Sequence, residues 1–221
     1  VEDVPVKRSM DSKGFVNIMY GCDKFCTYCI VPYTRGRERS RRMEDILREV
    51  EELKASGRKE VVLLGQNVNA YGKDLKMEDG FTQLLVAVAK TGIERISFYT
   101  SHPRDYSETT IDAMRDYPNI MPFLHLPVQS GSNEVLRRMA RGYTVERYKQ
   151  LYDDLKKKVP HIAFTTDLIV GFPNETDEEF EATLDLVRYC RFDMAYAFIY
   201  SPRAGTPAAN MEDNIPLEVK K

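Results

Sequence analysis

No apolar run in the sequence approaches the ~18–20 residues needed to cross a bilayer, and the first thirty residues lack the layout of a signal peptide. Neither a membrane-spanning nor a secreted protein is expected, and the cytoplasm is the expected compartment. Cysteine is scarce, at 4 residues, which excludes a disulfide scaffold. Net charge is also nearly absent: 32 Lys and Arg against 34 Asp and Glu leave −2, so the chain carries no overall excess for nucleic acid. Any such contact must be local. Internal repeats and low-complexity tracts are missing as well. What remains is an ordinary globular composition, 43% hydrophobic and 30% charged, in 221 residues. That length suits one α/β barrel of ~200–250 residues. Val1 in place of an initial Met suggests a processed or excised segment.

Apolar and β-branched runs alternate with helical patterns to the end of the chain. Strands are predicted at 15–20, 61–64, 96–99, 123–126, 162–170 and 194–200. Helices are predicted at 43–56, 81–88, 107–117, 133–139, 145–158 and 176–189, the last opened by a Thr176/Glu179 capping box. Six βα units imply a parallel sheet with right-handed crossovers, either an open doubly wound sheet or a partial barrel. Both gather functional groups at the carboxyl ends of the strands. Cys22, Gln66, Asn67, Ser101, His102, Gln129, Ser130, Gly171 and Ser201 all fall just after a predicted strand, so they should converge on one face. The polar stretch 1–13 and the proline-bearing stretch 203–221 read as linkers around a core at 14–202.

Three of the cysteines, Cys22, Cys26 and Cys29, form a C-x3-C-x2-C loop directly after the first strand. Thiolates at these spacings can meet on one metal centre. A structural zinc wants four ligands, and no nearby Cys or His completes such a set. An iron-sulfur cluster can instead leave one iron without a protein ligand, open to substrate. A zinc-stabilised nucleic-acid-binding module is the rival reading from a different class.

With an aromatic, Tyr28, before its last cysteine, the loop resembles the signature of the radical S-adenosylmethionine (SAM) enzymes. Those enzymes have a partial (β/α)6 TIM-like barrel. The segments GCDKFCTYCIVPYTRGRERSR, LLGQNVNAYG, YTSHP, LHLPVQSGSNEVLRRMARGYT, DLIVGFPNET and YSPRAGTPAA are similar, in order, to blocks of the methylthiotransferase family. YTSHP and SPRAGTPA resemble its tRNA-modifying branch, and a ribosomal-protein aspartate methylthiotransferase is the alternative within the family. The resemblance implies a 4Fe-4S cluster on Cys22, Cys26 and Cys29 whose open iron chelates the amine and carboxylate of SAM. Reductive cleavage of SAM would then serve methylthiolation at C2 of an N6-isopentenyl-adenosine in tRNA.

The same resemblance places Gly65, Gln66 and Asn67 at the methionine amine, although Asn67 stands where an acidic residue is usual. Ser101, Gln129, Ser130, Arg141 and Asp167 complete the expected SAM-binding set. Each has a plainer reading. Gly65 closes a turn, Ser130 or Ser132 caps a helix, and Arg141 sits at a solvated helix end. Asp167 is the more telling, because a carboxylate inside a buried strand is costly unless paired. His102, at a strand end, could reach substrate, although a lone histidine is more often structural. His125 reads as a core histidine, and Cys190 as core filler on an apolar helix face. No single residue is singled out as catalytic.

Charge is polarised locally: +4 over 1–42, +4 over 130–160 and −6 over 161–190. Arg35, Arg37, Arg39, Arg41 and Arg42 follow the cysteine loop, where they would meet tRNA phosphates or form a solvated turn. The family also carries an amino-terminal domain with a second 4Fe-4S cluster, which supplies the sulfur, and a carboxy-terminal RNA-binding domain. Since Cys190 is the one cysteine left over, this sequence is expected to hold a single cluster and not to complete the reaction alone. The expected partners are tRNA, met mostly through those other domains, and a reducing donor such as flavodoxin or ferredoxin. The chain is expected to be a monomer.

Overall fold

The computed structural model describes residues 12–221. Six strands form its frame: β1 Lys13–Asn17, β2 Glu60–Leu64, β3 Arg95–Tyr99, β4 Phe123–His125, β5 Ala163–Val170 and β6 Met194–Ile199. Helices α1 Met43–Ala55, α2 Gly80–Lys90, α3 Glu108–Asp116, α4 Asn133–Arg138, α5 Val145–Lys158 and α6 Asp177–Cys190 lie between them. Parallel pairing joins β1 to β2, β2 to β3, β4 to β5 and β5 to β6. A single bridge, Ile96 with Ile120, carries the sheet from β3 toward β4. The spatial order therefore follows the chain order. A doubly wound sheet would reverse its order at a switch point, so the alternation builds an open arc, the partial (β/α)6 barrel.

Strand periodicity explains where the core sits. Along β1 Val16 points outward and is fully buried, while Phe15 and Asn17 point into the barrel and stay exposed. Val61, Leu63, Ile96, Phe98, Leu124 and Phe164 likewise face the helices, where Ile46, Val50, Leu53, Leu84, Val88, Leu151 and Leu155 meet them. The packing is close: a Cβ on Gly14 would lie 2.3 Å from Leu53 Cδ2. The inner face is polar and aromatic. His125 places Nδ1 2.9 Å from Thr165 Oγ1 and Nε2 3.5 Å from Asp167 Oδ2, between the rings of Tyr99 and Tyr196.

Three expectations change. The strand expected at 15–20 breaks at Ile18, and Met19–Tyr20 leaves the sheet to pair antiparallel with Arg39–Ser40. This small ribbon roots the cysteine loop. Of the expected amino-terminal linker, 1–11 lies outside the described residues and Lys13 opens β1 opposite Glu60. The other expected linker folds back: Pro207–Asn210 makes a 3-10 turn, and buried Ala208 packs with Val135, Met139, Phe172 and Tyr200. Strand β6 has every residue exposed, with Met194, Tyr196 and Phe198 each about half uncovered. The capping box forms as read: Thr176 Oγ1 accepts from Glu179 N at 3.3 Å and Glu179 Oε2 from Thr176 N at 3.0 Å.

Candidate functional site

The cysteine loop is closed at its root by glycine chemistry and pinned at its tip by the barrel. Gly21 has φ +74°, and a Cβ there would stand 2.0 Å from Arg37 O, so only glycine lets the two arms approach. Cys22 N donates to Gly36 O at 3.1 Å, and Asp23 and Glu38 exchange backbone-to-carboxylate bonds at 3.3 Å. Farther along, Thr27 N donates to Met139 O and Thr27 Oγ1 to Arg138 O, and Ala208 N donates to Thr27 O. The loop is thus held by α4 on one side and the folded-back carboxy-terminal segment on the other. Of the arginines that follow it, Arg41 pairs with Glu49 at 2.8 Å, Arg42 with Asp45 at 3.0 Å and Arg37 with Asp23 at 3.4 Å.

All three loop cysteines line one cavity of about 350 Å³ at the carboxyl ends of the strands. Gly65, Gln66 and Asn67 after β2, Ser101 after β3, Gln129 after β4, Asp167 of β5 and Arg141 line it too. Of the nine residues expected from strand order to share one face, Cys22, Gln66, Asn67, Ser101, His102 and Gln129 line this cavity, while Gly171 and Ser201 line others. Of the eight residues proposed to meet SAM, all but one line it. Ser130 is the exception. It is fully buried away from the cavity, its Oγ 3.2 Å from Thr183 Oγ1 and accepting from Ser132 N at 3.1 Å. A hydroxyl on α6, 53 positions away, takes the group that the sequence pattern offers to a ligand.

Arg141 is in the cavity wall with four of its five N–H groups given to protein, not at a solvated helix end. Its Nη1 donates to Cys26 Sγ at 3.5 Å and Tyr28 OH at 3.3 Å, Nη2 to Pro127 O at 2.9 Å and Nε to Tyr143 OH at 3.2 Å. Burial pushes the Cys22 thiol up to about 11, and burial raises Cys29 as well, so protonated thiols suit the metal-free loop. Among the described residues no three His, Cys, Asp or Glu side chains already stand in a metal-coordinating arrangement. Thiol loops of this kind close when a metal replaces their protons, since binding couples to ligand deprotonation.

Polar atoms along the cavity test what it would accept. Gln66 Oε1, Asn67 Oδ1, Ser101 Oγ and His102 Nε2 are buried without a hydrogen-bond partner, and all four residues line it. Native interiors leave few such atoms, and leaving one unpaired costs ~1–3 kcal/mol. Their concentration beside three thiols fits a small polar ligand held next to a metal centre. A second cavity of about 540 Å³ shares Tyr28, Cys29, Gln129 and Asp167 and continues past Ile169, Phe198 and Tyr200. Its apolar walls suit a flat ring.

Sequence reasoning missed the group that fixes this wall. Asp105 accepts from Asn67 Nδ2 at 2.7 Å and pairs with Lys24 and Lys73 at 2.6 Å each. Lys24 lies inside the cysteine loop, so one buried carboxylate ties the loop to the end of β2. Burial alone would raise the Asp105 pKa, but the three hydrogen bonds outweigh it and bring it down to about 2. No local spacing announces this cluster, because its four members come from three separate loops. His102, which the sequence leaves between substrate and a structural role, lines the cavity.

The family profile described as the Radical SAM superfamily matches residues 16–187. The chain belongs to the radical SAM superfamily. It is 60% identical over 222 residues to tRNA-2-methylthio-N(6)-dimethylallyladenosine synthase of Bacillus licheniformis and 59% identical to that of Bacillus subtilis. Each match covers 100% of this chain and 44% of the relative, so the chain spans less than half the length of those proteins. Among solved structures, the radical SAM methyltransferase TsrM from Kitasatospora setae superimposes with a TM-score of 0.73 at 18% identity, covering 89% of this chain and 38% of that one. SuiB from Streptococcus suis gives 0.64 at 16% identity over 95% of this chain and 45% of that one. These likenesses establish the radical SAM partial barrel as the fold.

Proposed function

We propose that the chain is the radical SAM core of a tRNA methylthiotransferase. Cys22, Cys26 and Cys29 would hold a 4Fe-4S cluster, and SAM would fill the space between it and the ends of β2 to β5. The observation that carries the reading is the shared cavity: three thiols and four residues with unpartnered buried polar atoms line the same 350 Å³. When bound, the cluster supplies the electron that splits the sulfonium C–S bond of SAM.

The chain's own residues organise that site. Arg141 places a buried guanidinium against Cys26 Sγ, where it offsets negative charge on a ligated sulfur. The Lys24–Asp105 pair fixes the loop's height above β2. Asp167 presents a carboxylate to both cavities, a fit for a ribose diol, and His125 Nε2 at 3.5 Å steadies it. Gly65, Gln66 and Ser101 line the methionyl side with Asn67, and Gln129 spans both cavities.

The tRNA substrate is proposed from the names of relatives that match the whole chain. Cys190 is buried in the main core, so a second, sulfur-supplying cluster would need thiols from outside this sequence. By itself the chain would bind its cluster and SAM without making product. A flavodoxin or ferredoxin would supply the electron, and the reading places the protein in the cytoplasm as a monomer. No helix of the described residues is long and apolar enough to cross a membrane.

Anaerobic reconstitution tests the core of the proposal. About four irons and four sulfides per chain, lost in Cys22→Ala, and an EPR spectrum of the reduced cluster that changes on adding SAM are the expected results. A colourless protein holding one zinc would overturn it. For the substrate, full-length enzyme should methylthiolate hypomodified tRNA; modification of a ribosomal protein instead would redirect the assignment.

A further inference from the structure

The unpartnered atoms around the cavity are not of one kind, and the protein's own hydrogen bonds fix the kind for two of them, Asn67 Oδ1 and His102 Nε2. Asp105 receives Asn67 Nδ2, and a flipped amide would set oxygen against carboxylate, so Asn67 presents its acceptor Oδ1. Asn69 Oδ1 accepts the His102 backbone N–H at 3.3 Å and so fixes the backbone at His102. His102 Nδ1 accepts the Arg104 N–H at 3.2 Å, which puts the ring proton on Nε2. Burial, with Arg141 and Lys24 nearby, keeps that imidazole neutral. The end of β2 thus offers acceptors, Gln66 Oε1 and Asn67 Oδ1. The end of β3 offers a donor, His102 Nε2–H, beside the Ser101 hydroxyl, which can donate as well as accept.

Acceptors at the end of β2 beside donors at the end of neighbouring β3 match the head of an amino acid: its amine N–H groups toward β2, its carboxylate toward β3. The obvious rival for the carboxylate is Arg141, but its four hydrogen bonds to Cys26, Tyr28, Pro127 and Tyr143 leave at most one N–H. We propose that His102 is a ligand-binding residue whose Nε2–H holds the carboxylate of the methionyl group of SAM, with Ser101 Oγ as its companion donor. The proposal rests on the reading of the cavity as a SAM site and adds a residue to it. His102 is held for this by its edge-on contact with Tyr143, ring centroids 5.7 Å apart, as well as by the Arg104 N–H.

The test uses two ligands and the reconstituted chain under anaerobic conditions: SAM, and decarboxylated SAM, which keeps the amine, sulfonium and nucleoside. His102→Phe keeps the ring contact with Tyr143 and removes the donor. It should weaken SAM binding by roughly tenfold to a hundredfold, with iron content unchanged, and should leave affinity for decarboxylated SAM within about twofold. His102→Gln restores an N–H donor and should recover most of the loss. Ser101→Ala should show the same carboxylate-dependent loss, and it decides the matter if the Phe variant does not take up iron. Equal losses for both ligands, or undiminished SAM binding, would overturn the proposal. Failure of the unaltered, cluster-loaded chain to bind SAM would instead overturn the function proposed above.

Discussion

Asp105→Ala removes a carboxylate shared by three donors, Lys24 and Lys73 at 2.6 Å and Asn67 at 2.7 Å. The Asp105 and Lys24 side chains are 4% and 12% exposed, whereas Lys73 is 53% exposed. Deleting one partner of a buried pair costs ~3–5 kcal/mol, because the remaining charge stays buried. Lys24 keeps a narrow path to water, so ~2–4 kcal/mol is expected for Asp105→Ala. Lys73→Ala breaks a contact of similar length to the same carboxylate, but a solvent-exposed one, and should cost at most ~1 kcal/mol. Guanidinium unfolding of the metal-free chain measures both, with an unchanged slope showing that stability alone has moved. The double variant Lys24→Met/Asp105→Leu should regain much of the loss, since two apolar groups leave no stranded charge. The sign with pH is fixed too. A folded pKa of about 2, below the unfolded ~3.9, gives stability present above about pH 4 and lost as pH falls toward 2. The difference between native protein and Asp105→Ala should therefore shrink on acidification. Equal losses for Asp105→Ala and Lys73→Ala, or no recovery in the double variant, would refute the clamp.

Cys190→Ala should cost roughly 1 kcal/mol from lost apolar burial and leave iron stoichiometry unchanged, because the thiol is fully buried in the main core. Gly131→Ala would drive a Cβ to 2.4 Å from Ala182 O and 2.6 Å from Thr183 Cα, both on the chain of α6. A loss of at least ~1–3 kcal/mol in thermal or chemical unfolding is expected. Thr176→Ala removes the cap acceptor of Glu179 N and should cost ~1 kcal/mol without altering iron uptake. Thr166→Val strands Val128 N, which donates to the Thr166 hydroxyl at 3.0 Å, and leaves Leu126 O to the Tyr148 hydroxyl alone; ~1–3 kcal/mol is expected in the same unfolding assay.

The sequence by itself determined the alternation of strands and helices, the capping box at Thr176, and the run of polar residues just past each strand. All of these are local signals: period-two burial, helical faces and turn chemistry act over a few residues, and strand direction then sends the polar ends to one face. The C-x3-C-x2-C loop was legible for the same reason. Tertiary structure alone decided the strand order, and with it a barrel arc in place of a doubly wound sheet. It also decided what each polar residue does after arriving at the site. Ser130 and Gln129 are neighbours with the same promise, yet Thr183 of α6 claims the first and the cavity the second. Arg141 reaches Cys26 across 115 positions, and the Asp105 clamp joins three loops. A buried polar group must find a partner wherever packing brings one, and sequence spacing says nothing about which distant partner that will be.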